Sequence, residues 1–160
     1  MTATSTYEYR YDENWQLTKC TEKLQNGITT EYDYQYDKDG NRIKETAINT
    51  DGTGFVSESK YDENGNCVEA TYKDNNGTEF LYKYEYDENK NRMKETHTDK
   101  SGNVYLYEYE YDEDGNRIKE THTDYVGNVT VFEYEYDENG RRTKGTRTDP
   151  DGTVTVVEFQ

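Results

Sequence analysis

Three groups of side chains in this sequence could do chemistry. The most numerous is a set of tyrosines spaced two residues apart: Tyr32, Tyr34, Tyr36, Tyr82, Tyr84, Tyr86, Tyr107, Tyr109, Tyr111, Tyr134 and Tyr136. Rows of aromatic rings stack on sugar rings, and the phenol adds a hydrogen bond, so these residues are the candidate carbohydrate-binding set. They are equally the material of a sheet core or a self-association surface. That reading weighs more, because only 29% of residues are hydrophobic and 18 residues are tyrosine, leaving few aliphatic side chains for a core.

The second group is acidic. Asp37-Lys38-Asp39-Gly40 and Asp112-Glu113-Asp114-Gly115 begin like a calcium loop. An EF-hand also requires a glutamate eleven residues after the first aspartate, and those positions hold Ile48 and Thr123. Turn chemistry, in which Asp and Asn cap their own backbone, is the better account, and no metal is expected. The third group is two histidines and two cysteines. His97 and His122 are one repeat apart, so about 10 Å should separate their backbones across two strands, too far to share a metal. Cys20 and Cys67 should lie about four strands, or ~19 Å, apart, beyond disulfide reach, and are expected as free thiols. No Ser-His-Asp, Cys-His or phosphate-loop spacing occurs, so neither catalytic residues nor a cofactor are expected. Asn76-Gly77-Thr78 and Asn128-Val129-Thr130 are glycosylation sequons that also read as turns.

Composition narrows the partners. A net charge of −16 opposes nucleic acid, which needs clustered Lys and Arg, and opposes anionic membranes. No stretch is apolar enough to insert into a bilayer. The opening MTATSTYEYRYDEN lacks an apolar run, so no signal peptide is expected in it.

These residues are positioned by a repeat. Tyr-Asp recurs at Tyr11, Tyr36, Tyr61, Tyr86, Tyr111 and Tyr136, a step of 25 residues. The array is one unit over 1–160, with repeats at 11–35, 36–60, 61–85, 86–110, 111–135 and 136–160 after a leading strand at 1–10. Glycine marks two turns per repeat, and the segments between are rich in Thr, Tyr, Val and Ile, which favour strands. The expected fold is all-β: an antiparallel up-and-down meander of about 13 strands, in a single curled or spiralling sheet because wide open sheets seldom stay flat.

An odd period constrains the turns, since paired residues share a face and a uniform loop parity would flip the pleat in each repeat. Asn64-Gly65, Asp114-Gly115 and Asn139-Gly140 predict two-residue type I′ turns. The second turn, with Val126-Gly127 and Ser101-Gly102, predicts a type I turn closed by a glycine bulge; a bulge within a strand would be the alternative source of the odd residue. This register places Tyr107, Tyr109, Tyr111, Ile118, Glu120 and His122 on one face. Glu108, Glu110, Arg117, Lys119, Thr121 and Thr123 fall on the other, with Lys119 opposite Glu110 and Glu133, and Arg117 opposite Glu135. The copies differ: Trp15 and Lys90 replace the first glycine, and Gly54, Ser57 and Ser59 break the pattern of the second repeat. The segment Thr153 to Phe159 reads as an apolar strand without Lys or Pro, suited to edge association, and the final Glu158-Phe159-Gln160 stops one residue short of another Tyr-Asp, the pattern of a longer array cut at a repeat boundary.

At Tyr111-Asp112, Gly115, Asn116-Arg117-Ile118, Thr123-Asp124, Gly127 and Tyr134-Glu135-Tyr136-Asp137 the sequence resembles the Rhs or YD repeat. It departs from that motif in its longer period and in the Asn standing before Arg. The resemblance implies a non-enzymatic scaffold from a secreted or bacterial surface protein, built as a spiralling β-sheet. The partners expected are a second copy, neighbouring repeats of a longer array, or glycans on the Tyr stripe; a consensus-like designed repeat without a natural partner is the remaining alternative.

Overall fold

The structure is a computed structural model and describes residues 5–159. Its described residues form thirteen strands and no helix: β1 (Thr6–Tyr11), β2 (Leu17–Lys23), β3 (Thr29–Tyr36), β4 (Arg42–Asn49), β5 (Gly54–Tyr61), β6 (Cys67–Asp74), β7 (Glu79–Tyr86), β8 (Arg92–Asp99), β9 (Val104–Tyr111), β10 (Arg117–Thr123), β11 (Val129–Tyr136), β12 (Arg142–Thr148) and β13 (Val154–Glu158). They follow chain order in one antiparallel meander sheet, as the turn spacing predicts. Internally the chain divides into two compact units, Met1–Leu81 and Tyr82–Gln160.

The turns correct the sequence reading. In both turn types the residue before the loop bonds across it in the same way. Gly115 N–H donates to Asp112 O (3.1 Å) and Asp112 N–H donates to Asn116 O (3.0 Å); Gly127 and Asp124 N–H repeat this with Asp124 O and Asn128 O, both at 3.0 Å. Each loop therefore holds three residues, with glycine at positive φ (82° at Gly115, 90° at Gly127). A type I′ turn would need positive φ at Asn64, Asp114 and Asn139 as well, and among the described non-glycine residues only Trp15 and Lys90 show it. The Asp carboxylates are spent on these loops. Asp112 Oδ1 accepts the N–H of Asp114 (3.0 Å) and Asn116 (2.8 Å), while Asn116 Nδ2 donates to Asp112 Oδ2 (3.0 Å). Asp37, Asp62 and Asp87 are clamped identically by Asn41, Asn66 and Asn91. The Asn that precedes Arg is thus part of the turn. Its side-chain bond is the main reason the Asp37, Asp87 and Asp112 carboxyls lie below the usual range.

With equal loops, a bulge supplies the odd residue. Tyr111 pairs Arg117 and Glu110 pairs Lys119, so Arg117 and Ile118 together oppose one residue. The same shift follows Tyr11, Tyr36, Tyr61 and Tyr136. This moves Arg117 off its expected face and away from Glu135, which pairs Lys144 instead. Downstream of the bulge the expected register holds: Lys119 pairs both Glu110 and Glu133, and its Nζ lies 2.8 Å from Glu110. Gly54 also has a reason: a Cβ there would sit 1.9 Å from the Ala47 carbonyl oxygen.

Burial is sparse. In the first unit Cys20 and Ala47 are buried, and in the second Tyr109, Glu95 and Glu120. Cys20 and Cys67 are not joined in a disulfide. Lys90 occupies the glycine position at φ 67°, a left-handed conformation that costs a side-chain-bearing residue roughly 1–2 kcal/mol. Lys90→Gly should therefore raise the unfolding free energy by about 1 kcal/mol, and Gly115→Lys should lower it by a similar amount, read as opposite shifts of the urea midpoint.

Candidate functional site on the tyrosine face

In the second unit the tyrosine face is built from three rows running across the strands. The outermost alternates aromatic rings and imidazoles: Tyr82, His97, Tyr107, His122 and Phe132, with successive ring centroids 4.6, 4.8, 4.8 and 5.0 Å apart. The histidines are therefore members of the Tyr face, as the register predicts. The middle row carries the carboxylates. Tyr109 Oη donates to Glu95 Oε2 (3.4 Å) and Tyr134 Oη donates to Glu120 Oε1 (2.7 Å). Each carboxylate also contacts the imidazole two residues on, His97 Nε2 at Glu95 and His122 Nε2 at 3.2 Å from Glu120. In the third row Arg92 Nη1 lies 2.9 Å from Glu95 and Arg117 Nη2 lies 3.0 Å from Glu120.

The arginines explain why Tyr109 is the most buried tyrosine, 6% exposed. The Arg92 and Arg117 guanidiniums each lie 5.4 Å from the centre of its ring, a cation–π arrangement. Arg92 also lies 5.5 Å from Tyr84, and Arg142 covers Tyr134 at 3.8 Å. Burial raises the Tyr109 phenol to about 12, with the Glu95 charge adding to it. Burial and the hydrogen bond to Glu120 raise Tyr134 to about 12 as well. The tyrosines of the last two Tyr-Asp pairs bond elsewhere, their phenols reaching back to the preceding strand. Tyr111 Oη donates to Arg92 O (3.0 Å) and Tyr136 Oη to Arg117 O (2.8 Å).

The first unit repeats the scheme with fewer parts. Arg42 lies 3.2 Å from Glu45 and 5.4 Å from the Tyr34 ring. Tyr36 Oη donates to Leu17 O (2.9 Å) and Tyr61 Oη to Arg42 O (3.1 Å). Tyr32 and Tyr34 stack at 6.4 Å and 4°. Cys20 and Ala70 stand where Glu45, Glu95 and Glu120 stand in their repeats.

Residues 111–154 match the model of the RHS repeat family. Over that segment the chain is similar to the RHS repeat. Two crystal structures share the chain's fold. One, of TcdB2-TccC3-Cdc42, aligns at TM-score 0.71 and 16% identity over 96% of this chain and 9% of that one. The other, of TcdB2-TccC3-TEV, aligns at TM-score 0.64 and 14% identity over 96% of this chain and 10% of that one. The chain thus spans about a tenth of the length of either, and at such identity the likeness concerns the fold. No curated protein matches it.

Of the eleven sequence-selected tyrosines of this array, ten are half-buried and Tyr109 is buried. The sequence reading missed the arginines that share their face, Arg42, Arg92, Arg117 and Arg142. The signal was present as Arg-x-x-Glu at Arg42/Glu45, Arg92/Glu95 and Arg117/Glu120: a recurrent ion-pair spacing that alternation alone would put on opposite faces marks a bulge between its members. Among the described residues no cluster of His, Cys, Asp and Glu is arranged to hold a metal.

The raised phenols make alkaline stability the natural readout. Unfolded tyrosines lose their proton near the ordinary value of 10.0, whereas folded Tyr109 and Tyr134 keep theirs to about 12. Their contribution to stability should be complete below pH 10 and fall as pH rises toward 12. Urea midpoints measured across that interval should decline less steeply in Tyr109→Phe than in the unchanged chain.

Proposed function

We propose that the chain is a non-enzymatic structural module, a scaffold of RHS repeats from a secreted or bacterial surface protein, which associates through its sheet edges or Tyr face with a second copy or with neighbouring repeats. The observation that carries the structural role is the use made of the candidate site. Arginines cover the ring faces of Tyr84, Tyr109 and Tyr134, and the phenols of Tyr36, Tyr111 and Tyr136 are committed to backbone carbonyls. A sugar needs an open ring face and free hydroxyl partners, and these tyrosines spend both on neighbouring strands. The Glu95 and Glu120 carboxylates are likewise balanced by Arg92 and Arg117, which supports cohesion over acid–base work. The family's proteins are typically secreted or surface-associated, which is the basis of the proposed location.

Titration calorimetry with soluble glucans, galactans and chitin oligosaccharides tests this against carbohydrate binding. The scaffold reading expects no saturable heat, while Tyr109→Ser lowers the unfolding free energy by about 3 kcal/mol, as loss of a packed aromatic side chain does. Saturable binding that Tyr109→Ser abolishes without loss of stability would favour the glycan reading.

A further inference from the structure

One position of the ladder on the face opposite the tyrosines sets two cations against each other. Where β9 and β11 carry Glu110 and Glu135, paired with Lys119 and Lys144, and where Lys60 is matched by Glu69, β1 carries Arg10 opposite Lys19. Lys19 turns to Glu31 across the next strand (2.8 Å), and Arg10 forms no ion pair among the described residues. Among the described residues β1 has a strand on one side only. Its tyrosines are correspondingly open: Tyr7, Tyr9 and Tyr11 are 50%, 52% and 52% exposed, against 6% for Tyr109.

We propose that two copies of this chain pair edge to edge through β1, antiparallel about a two-fold axis at Tyr9, so that Arg10 of each copy faces Glu8 of the other. The inference rests on the scaffold reading and names the edge and the partner. An axis normal to the sheet reverses strand direction and keeps both Tyr faces on one side, so each copy must offer the same strand. Centring that strand on Tyr9 sets Tyr7 against Tyr11 of the second copy and Tyr9 against its equivalent, and makes two Glu8–Arg10 pairs on the opposite face. Other registers fail. A slip by one residue sets tyrosines against charges, and a slip by two sets Glu8 against Glu8 or Arg10 against Arg10, which repel when directly opposed. The arrangement also explains Arg10: a cation unfavourable beside Lys19 within one chain is complementary between two. The other edge lacks this code. β13 has no basic residue, and centred on Val156 it would set Val154 against Glu158.

Sedimentation of the whole chain over a range of concentrations tests the pairing. The unchanged chain should self-associate, and Arg10→Glu should weaken association at least tenfold while raising the melting temperature measured at dilutions where both chains are monomeric, because a carboxylate at position 10 faces Lys19 within the chain. Those opposite shifts separate loss of the interface from loss of fold. Glu8→Arg, which also gives up the 2.9 Å ion pair of Glu8 with Lys23, should be folded but monomeric, and an equimolar mixture of the two single variants should form heterodimers, since their charges are complementary. Self-association untouched by either variant, or a mixture that stays monomeric, overturns pairing through β1, and in the first case association of the scaffold stands with its interface elsewhere. A chain monomeric at every concentration overturns the pairing as well, leaving the structural role to the sugar titration.

Discussion

A repeat of odd length folded into a pleated sheet must find one residue per repeat that does not count toward alternation. Everything distinctive about this sheet follows from where that residue is placed. It sits at the bulge beside Tyr11, Tyr36, Tyr61, Tyr111 and Tyr136, as where Arg117 and Ile118 together face Tyr111. Two-for-one pairing swings an arginine onto the tyrosine face, where it meets Glu120 three residues later. Without the bulge, Arg117 and Glu120 would fall on opposite faces, and a buried carboxylate would lack its cation.

That network takes the place of an aliphatic core. A single sheet with few Leu, Ile and Val side chains cannot be held by hydrocarbon burial alone. Here the tyrosines offer area, the arginines lie over their faces, and the glutamates balance the arginines. The phenol latches to Leu17, Arg42, Arg92 and Arg117 carbonyls tie Tyr36, Tyr61, Tyr111 and Tyr136 of the Tyr-Asp motif to the strand before each. Buried polar groups are tolerated because each carboxylate is both ion-paired and hydrogen-bonded. The same economy explains why so few groups are left for chemistry: the candidate binding residues and the cohesive residues are the same side chains.

Much of this was legible in the sequence. The period, the strands, the turn positions, the tyrosine face and the Lys119 pairs with Glu110 and Glu133 all follow from alternation and glycine spacing. The turn type was not, because Asn-Gly and Asp-Gly are local signals for type I′, and the Asp–Asn side-chain clamp that selects the three-residue loop spans four residues. The face of Arg117 was lost with it, since parity assigned to the loop was in fact supplied by the strand. The open ring faces required of a sugar site were also illegible, for tyrosine spacing says nothing about what lies over the rings.

The most direct test of a sheet held by arginine, glutamate and tyrosine on one face is a pair of double-mutant cycles. One removes Arg117 and Glu120, and the other removes Lys119 and Glu110, an exposed pair on the opposite face. The bulge network predicts a coupling of about 1–3 kcal/mol for the first pair and roughly 0–1 kcal/mol for the second. Equal couplings, or none between Arg117 and Glu120, would contradict the claim that the bulge exists to bring them together.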